Sequence, residues 1–194
     1  MAHRAHSPQE RREAAEARRA RRAAVTEPDA VMEAAAAFLA VRSRSVEETR
    51  KRLVHLGYPP PIVEQVIERL VEIGYLDDLA FAQAWIESRD RARPRGAMAL
   101  RRELDRKGVP DEVIAEVLAN RAQLVAAAVD TEEGTNDPDR VAAQRLLERR
   151  ASTLGREEDP RRRRQKAYAL LARNGFAPDV CHEVAATVAQ ADTG

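Results

Sequence analysis

One spacing recurs three times in this chain and limits what it can fold into. Leu53, Leu104 and Leu171 each stand four residues before a glycine, at Gly57, Gly108 and Gly175. Ile62, Val113 and Val180 each stand five after it, and Val66, Val117 and Val184 nine after it. Apolar residues at three- and four-residue intervals mark one face of a helix, and a glycine supplies the left-handed cap that ends one. Each copy therefore reads as a helix, a glycine stop and a second helix.

A further helix precedes each pair. In the first copy it carries Val31, Ala35, Phe38 and Leu39 and ends near Arg42 and Arg44. Ser45 and Glu48 then form a capping box for the helix that stops at Gly57. After three prolines at 59–61, a helix bearing Val63, Ile67 and Leu70 runs to Gly74. The second copy opens at Asp77 or Asp78, continues through Leu100 and Leu104 to Gly108, and resumes after Pro110. The third has Leu146 and Leu147, an Asp159-Pro160 start, Leu171 before Gly175, and Val180 and Val184 after Pro178.

The glycines are 51 and 67 residues apart. The surplus falls around 130–139 and 152–159, which are expected to be insertion loops. Residues 1–28 alternate Arg, Glu and Ala without apolar periodicity, so a basic, disordered N-terminal tail is favoured over a solvated helix. Three-helix repeats are expected over 29–76, 77–129 and 140–194, with an acidic insertion loop over 130–139. The expected fold class is all-α: an elongated, curved, solenoid-like array of three tandem three-helix repeats, each covering its neighbour's apolar face.

Composition removes several function classes. The 33 Lys and Arg against 32 Asp and Glu leave a net charge of +1, which excludes a wholesale polycation. With 44% apolar residues, the chain is not an acidic disordered one either. Cys181 is the only cysteine, so an intrachain disulfide and a Cys-based zinc site are both impossible. No apolar run approaches the ~20 residues that span a bilayer, and the first residues are charged where a signal peptide is apolar. A soluble cytoplasmic protein is expected.

No active site can be nominated. The four histidines are His3, His6, His55 and His182, and no pair has the spacing of a zinc helix. No glycine-rich loop is present to cradle a phosphate. Cys181 beside His182 occupies the repeat position held by Val63 and Ile114, which makes it a small core residue. No enzyme, metal or cofactor is expected.

Charge is segregated beneath the balanced total. Residues 64–87 are acidic, 89–107 basic, 130–139 acidic and 161–166 basic. Leu100 and Leu104 fix the inward side of the second helix of the middle repeat, so Arg95, Arg102 and Arg106 are expected on its solvent face, with Arg101 on the flank. That face is either a solvated surface or one built to bind phosphate or carboxylate. Phe38, Phe81 and Trp85 lie in the apolar register and are expected in the core; Tyr58 and Phe176 follow their glycines and are expected to pack at helix caps. There is no run of surface aromatics to stack bases.

Three strings carry a resemblance: FLAVRSRSVEETRKRL at 38–53, IGYLDDLAFAQAWIESR at 73–89 and PRGAMALRRELDRKGVPDEVI at 94–114. Together they closely resemble the RecX family of recombinase regulators, strongly over about residues 30–120 and by pattern alone over 140–190. The resemblance implies tandem three-helix repeats without a catalytic centre. It further implies a role in recombination, DNA repair and the SOS response. Such proteins lie in the groove of a RecA filament on DNA and restrain its ATPase, strand-exchange and co-protease activities. Tyr75, Leu76, Phe81, Trp85 and Leu104 of the matched strings are expected to pack the core.

Only basic residues are then plausible contacts: Arg42, Arg44, Arg89, Arg95, Arg101, Arg102, Arg106 and Lys107. The expected partners are the RecA filament and, weakly or indirectly, DNA. No membrane is involved, and the protein is taken as a monomer. The alternative is a helical-repeat module acting directly on DNA, since three-helix units with Arg-rich helices can resemble helix-turn-helix domains.

Overall fold

The structure is a computed structural model that describes residues 7–128 and 137–190, and those residues form no strand. The helices are α1 (Pro8–Ala23), α2 (Asp29–Leu39), α3 (Val46–Leu56), α4 (Pro60–Glu72), α5 (Asp78–Ala92), α6 (Ala97–Asp105), α7 (Asp111–Ala128), α8 (Pro138–Glu148), α9 (Ala151–Leu154), α10 (Pro160–Arg173) and α11 (Pro178–Gln190). The triplets α2–α4 and α5–α7 are followed by a third, α8, α10 and α11, with the short α9 inserted. The chain divides into two compact units, residues 1–81 and 82–194.

In the first unit the local signals act as read. Ser45 Oγ accepts from the Glu48 N–H at 3.1 Å, and Glu48 answers by accepting from the Ser45 N–H. Gly57 ends α3 at φ +100°. Val31, Ala35, Leu53, Val63, Val66, Ile67, Leu70 and Leu76 form the core, with Tyr58 at its edge. The second unit repeats the plan. Leu100 and Leu104 of α6 and Ile114 and Val117 of α7 are buried. Ala167, Leu171, Phe176, Val180, Cys181 and Val184 are the centre of the last triplet. Cys181 is fully buried, and burial pushes its thiol above the usual range, as a core residue's would be.

Several expectations are corrected. The segment read as a disordered tail contains α1, a helix with its own capping box between Ser7 and Glu10. Alternating charge conceals helix where the stabilising signals are caps rather than an apolar stripe. The acidic stretch passes into helix at Pro138, with Asp137 as its N-cap; residues 130–136 lie outside the described residues. The presumed loop at 152–159 begins as α9.

Among the aromatics, Phe81, Tyr58 and Phe176 are buried, but Phe38 and Trp85 are only half-buried and Tyr75 is 68% exposed. Phe38 and Trp85 have cationic side chains over their rings, which lets an aromatic stand at the rim of a core. Tyr75 follows Gly74 as a backbone cap: its N–H reaches Leu70 O at 2.8 Å, and its side chain is left in solvent.

Candidate functional site

The middle triplet holds most of the cations nominated from sequence, and the fold sorts them into two groups. Helix α6 starts from Gly96 and turns Leu100 and Leu104 inward, so Arg101, Arg102 and Arg106 are exposed. Their internal ties are slight. Arg102 Nε donates to Met98 O at 3.0 Å, one turn back along the helix. Arg101 stands 3.5 Å from the well-exposed Asp111, a pair that contributes little. Of the nominated cations in the middle triplet, these three are the exposed ones.

Arg89, Arg95 and Lys107 are engaged within the unit. Arg89 Nε donates to Glu103 Oε2 at 2.7 Å, and the Trp85 indole N–H donates to the same oxygen at 2.9 Å. The Arg89 guanidinium and Lys107 Nζ lie 4.4 and 4.2 Å from the Trp85 ring centroid. Burial pushes the Glu103 carboxyl up, but the bonds from Arg89 and Trp85 and the charges of Arg89 and Arg95 outweigh it. The carboxyl is held below the usual range.

Arg95 does not share the solvent face of α6. It precedes the helix and donates to Asn174 Oδ1 at 2.7 Å, while the Gly96 N–H donates to Asn174 O at 3.1 Å. The Arg-Gly pair of the matched string thus joins α6 to the end of α10.

Arg42 and Arg44 belong to the first unit. Arg42 pairs with Glu48 at 3.1 Å and donates to Ser43 O. The Arg44 guanidinium lies 4.2 Å from the Phe38 centroid, and its Nε is buried without a hydrogen-bond partner. Burial, then the neighbouring Arg42, lowers its pKa from the ordinary value.

Sequence reasoning missed two features of the second unit. Arg121 of α7, 6% exposed, makes a two-pronged contact with Asp90 at 2.9 Å and a bond to Asp139 Oδ1 at 2.7 Å. Asp139 also accepts from the Ala97 N–H, capping the start of α6. Burial opposes the charge on Arg121, yet Asp90 and Asp139 raise its pKa further; on Asp139 burial prevails and the carboxyl is pushed up. The available signal was an arginine that is the only cation between Lys107 and Arg140.

The second feature is an open cleft of about 490 Å³ lined by Arg93, Arg95, Leu146, Arg149, Arg150 and Asn174. Arg149 is tied to the carbonyls of Arg91 and Ala92, while Arg93 and Arg150 are exposed at the rim. Nothing in the sequence brings 93 to 150 without the tertiary fold.

Among the described residues no group of three or more His, Cys, Asp or Glu side chains is arranged to hold a metal ion. No described helix is long and apolar enough to cross a membrane.

Sequence models of the first, second and third three-helix domains of RecX match residues 32–70, 77–118 and 139–184. A protein named regulatory protein RecX from Mycobacterium sp. (strain JLS) is 34% identical over 149 residues, covering 75% of this chain and 74% of its own. Its namesake in Prosthecochloris aestuarii (strain DSM 271 / SK 413) is 41% identical over 95 residues, covering 47% and 63%. A crystal structure of regulatory protein RecX superposes with a TM-score of 0.62 at 18% identity, covering 95% of this chain and 80% of that one. RecX from Lactobacillus salivarius gives 0.62 at 17% identity, covering 83% and 96%. At these identities the superpositions speak for the fold.

Proposed function

The chain belongs to the RecX family of regulatory proteins, and from that premise we propose that it binds the RecA recombinase filament on DNA and inhibits its ATPase, strand-exchange and co-protease activities. It does so without chemistry of its own, as a monomer in the cytoplasm, by occupying filament surface. The observation that carries this reading is the row Arg101, Arg102 and Arg106 on α6, exposed and almost free of internal partners. Such guanidinium groups suit carboxylates and DNA phosphates alike. Arg42, Arg44, Arg89, Arg95 and Lys107 are supporting members, because each is held by contacts within its own unit.

The test is a titration of filament ATPase activity at two salt concentrations. Replacing Arg101, Arg102 and Arg106 together with Ala is expected to leave the melting temperature nearly unchanged, since exposed charges contribute little. Inhibition is expected to weaken by about tenfold or more, the loss of at least one charge-assisted contact. Unchanged inhibition at both salts removes this face from the reading.

A second reading, direct action on DNA, is favoured by the cleft with Arg93 and Arg150 at its rim. Phosphate contacts of that kind give affinity that falls steeply with salt. Inhibition at amounts well below those that coat the DNA excludes masking; inhibition only at coating amounts selects it.

A further inference from the structure

Two of the glycines that end a triplet's second helix are also docking points for another helix. At Gly175, φ +80°, an added Cβ would lie 2.4 Å from the Ala99 Cβ and 2.5 Å from the Ala99 N: the start of α6 packs directly on it. The same approach carries Arg95, whose guanidinium bonds Asn174, the residue just before that glycine. At Gly57, φ +100°, an added Cβ would lie 2.7 Å from Arg19 Cγ and 3.3 Å from the Arg19 carbonyl oxygen, so α1 packs directly on it. Arg22 of α1 donates to Leu56 O at 3.3 Å, and Leu56 is the residue just before that glycine. The arrangements are parallel: a helix residue lies against the glycine, by its Cβ and backbone at Gly175 and by the Arg19 Cγ with the backbone oxygen behind it at Gly57, and an arginine bonds the glycine's predecessor. The order along the chain is reversed, since the close backbone precedes Arg22 in α1 but follows Arg95 in α6.

Gly74 supplies the contrast. Its φ of +73° is equally left-handed, yet an added Cβ would meet nothing within 4 Å. A left-handed cap therefore does not by itself create a docking point; the close approach at Gly57 and Gly175 is a separate property of those two positions.

We propose that α1 is a docked cap, filling on the first triplet the glycine socket that the third triplet offers to the start of α6. It stands where the second helix of a preceding repeat would stand. Its composition fits an end cap, because Arg and Glu cover its outer side and repeat arrays need a polar terminal surface. It is also lightly held. No residue of α1 is buried, and its ties to the unit include Arg19 against Gly57, the Arg22 bond to Leu56, and Arg22 lying 5.7 Å from the Tyr58 centroid. An element with no buried residue opens locally well before the unit unfolds. The Gly57 socket is thus an interaction surface for a helix, with α1 as the resident occupant that any other helix must displace.

Hydrogen exchange of the α1 amides in the full chain reads docking directly, since an isolated helix of 16 residues is marginal in water. Gly57→Ala and Gly74→Ala both place a side chain at positive φ, so both carry the same kind of backbone strain. Only Gly57→Ala also collides with α1. The expected result is exchange in α1 accelerated roughly tenfold in Gly57→Ala. Gly74→Ala should leave α1 at the wild-type rate. Arg22→Ala, which leaves the unit's backbone untouched, should accelerate exchange in α1 while that of α3 and α4 stays unchanged. The proposal is overturned if α1 exchanges equally in wild type and Gly57→Ala, or if Gly74→Ala releases it as well.

Discussion

Arg121 is where a single side chain holds the most structure. Its guanidinium bonds Asp90 of α5 and Asp139 of α8 while sitting on α7, so three helices meet on one charge. Removing one partner of a buried ion pair leaves uncompensated charge, at a cost of about 3–5 kcal/mol. Arg121→Ala is expected to lose stability on that scale in chemical denaturation, whereas Arg106→Ala on the exposed face should stay within about 0.5 kcal/mol. Arg121→Lys keeps the charge but loses the fork to Asp90, and should fall between them. Equal midpoints for Arg121→Ala and Arg106→Ala would show the buried pair to be inert. Trp85 shows why such detail is hard to read from sequence. Its spacing is that of a core residue, but an indole has an edge that needs a partner and a face that attracts cations. Glu103, Arg89 and Lys107 supply them, so the ring stops half-way in.

At the scale of the element, the Ser45–Glu48 capping box and the glycine stops were legible because they are local, made by residues within a few positions of each other. The links between triplets were not. Asp78, in the first turn of α5, accepts from the Val46 N–H at the start of α3, and Asp139, in the first turn of α8, accepts from the Ala97 N–H at the start of α6. The same staple is used twice, yet the partners are far apart in sequence. Burial is the main influence on the Asp78 carboxyl, which titrates above the ordinary aspartate range. The folded state therefore binds that proton more tightly than the unfolded chain. Its contribution is complete below the unfolded aspartate pKa and is lost as pH rises through the folded value. Asp78→Asn keeps an oxygen for the Val46 N–H without burying a charge. Its melting temperature relative to wild type should therefore improve between pH 3 and pH 7, while Asp78→Ala should cost about 1–3 kcal/mol by orphaning the N–H. A pH-independent difference between Asn and wild type would contradict this assignment.

Across the whole molecule, the threefold recurrence of leucine, glycine and valine was enough to establish tandem triplets, because a repeat needs only its period to be recognised. It could not reveal how one triplet is seated on the next, which depends on a clearance rather than on a pattern. Gly96 is the clearest instance. Its φ of −74° and ψ of 159° are open to any residue, so no backbone rule requires glycine there. The requirement is tertiary: an added Cβ would lie 2.2 Å from the Gly175 carbonyl oxygen and 2.5 Å from the Phe176 N. Both are backbone atoms that cannot swing aside. Gly96→Ala is expected to cost at least about 1–3 kcal/mol by overpacking. The damage should also be shared, because Gly96 lies in the middle triplet and Gly175 in the last. Hydrogen exchange should accelerate at the start of α6 and at the α10–α11 junction together, with α2–α4 unchanged. If only α6 responds, the joint does not couple the triplets, and the second unit is two independent repeats rather than a single cooperative body.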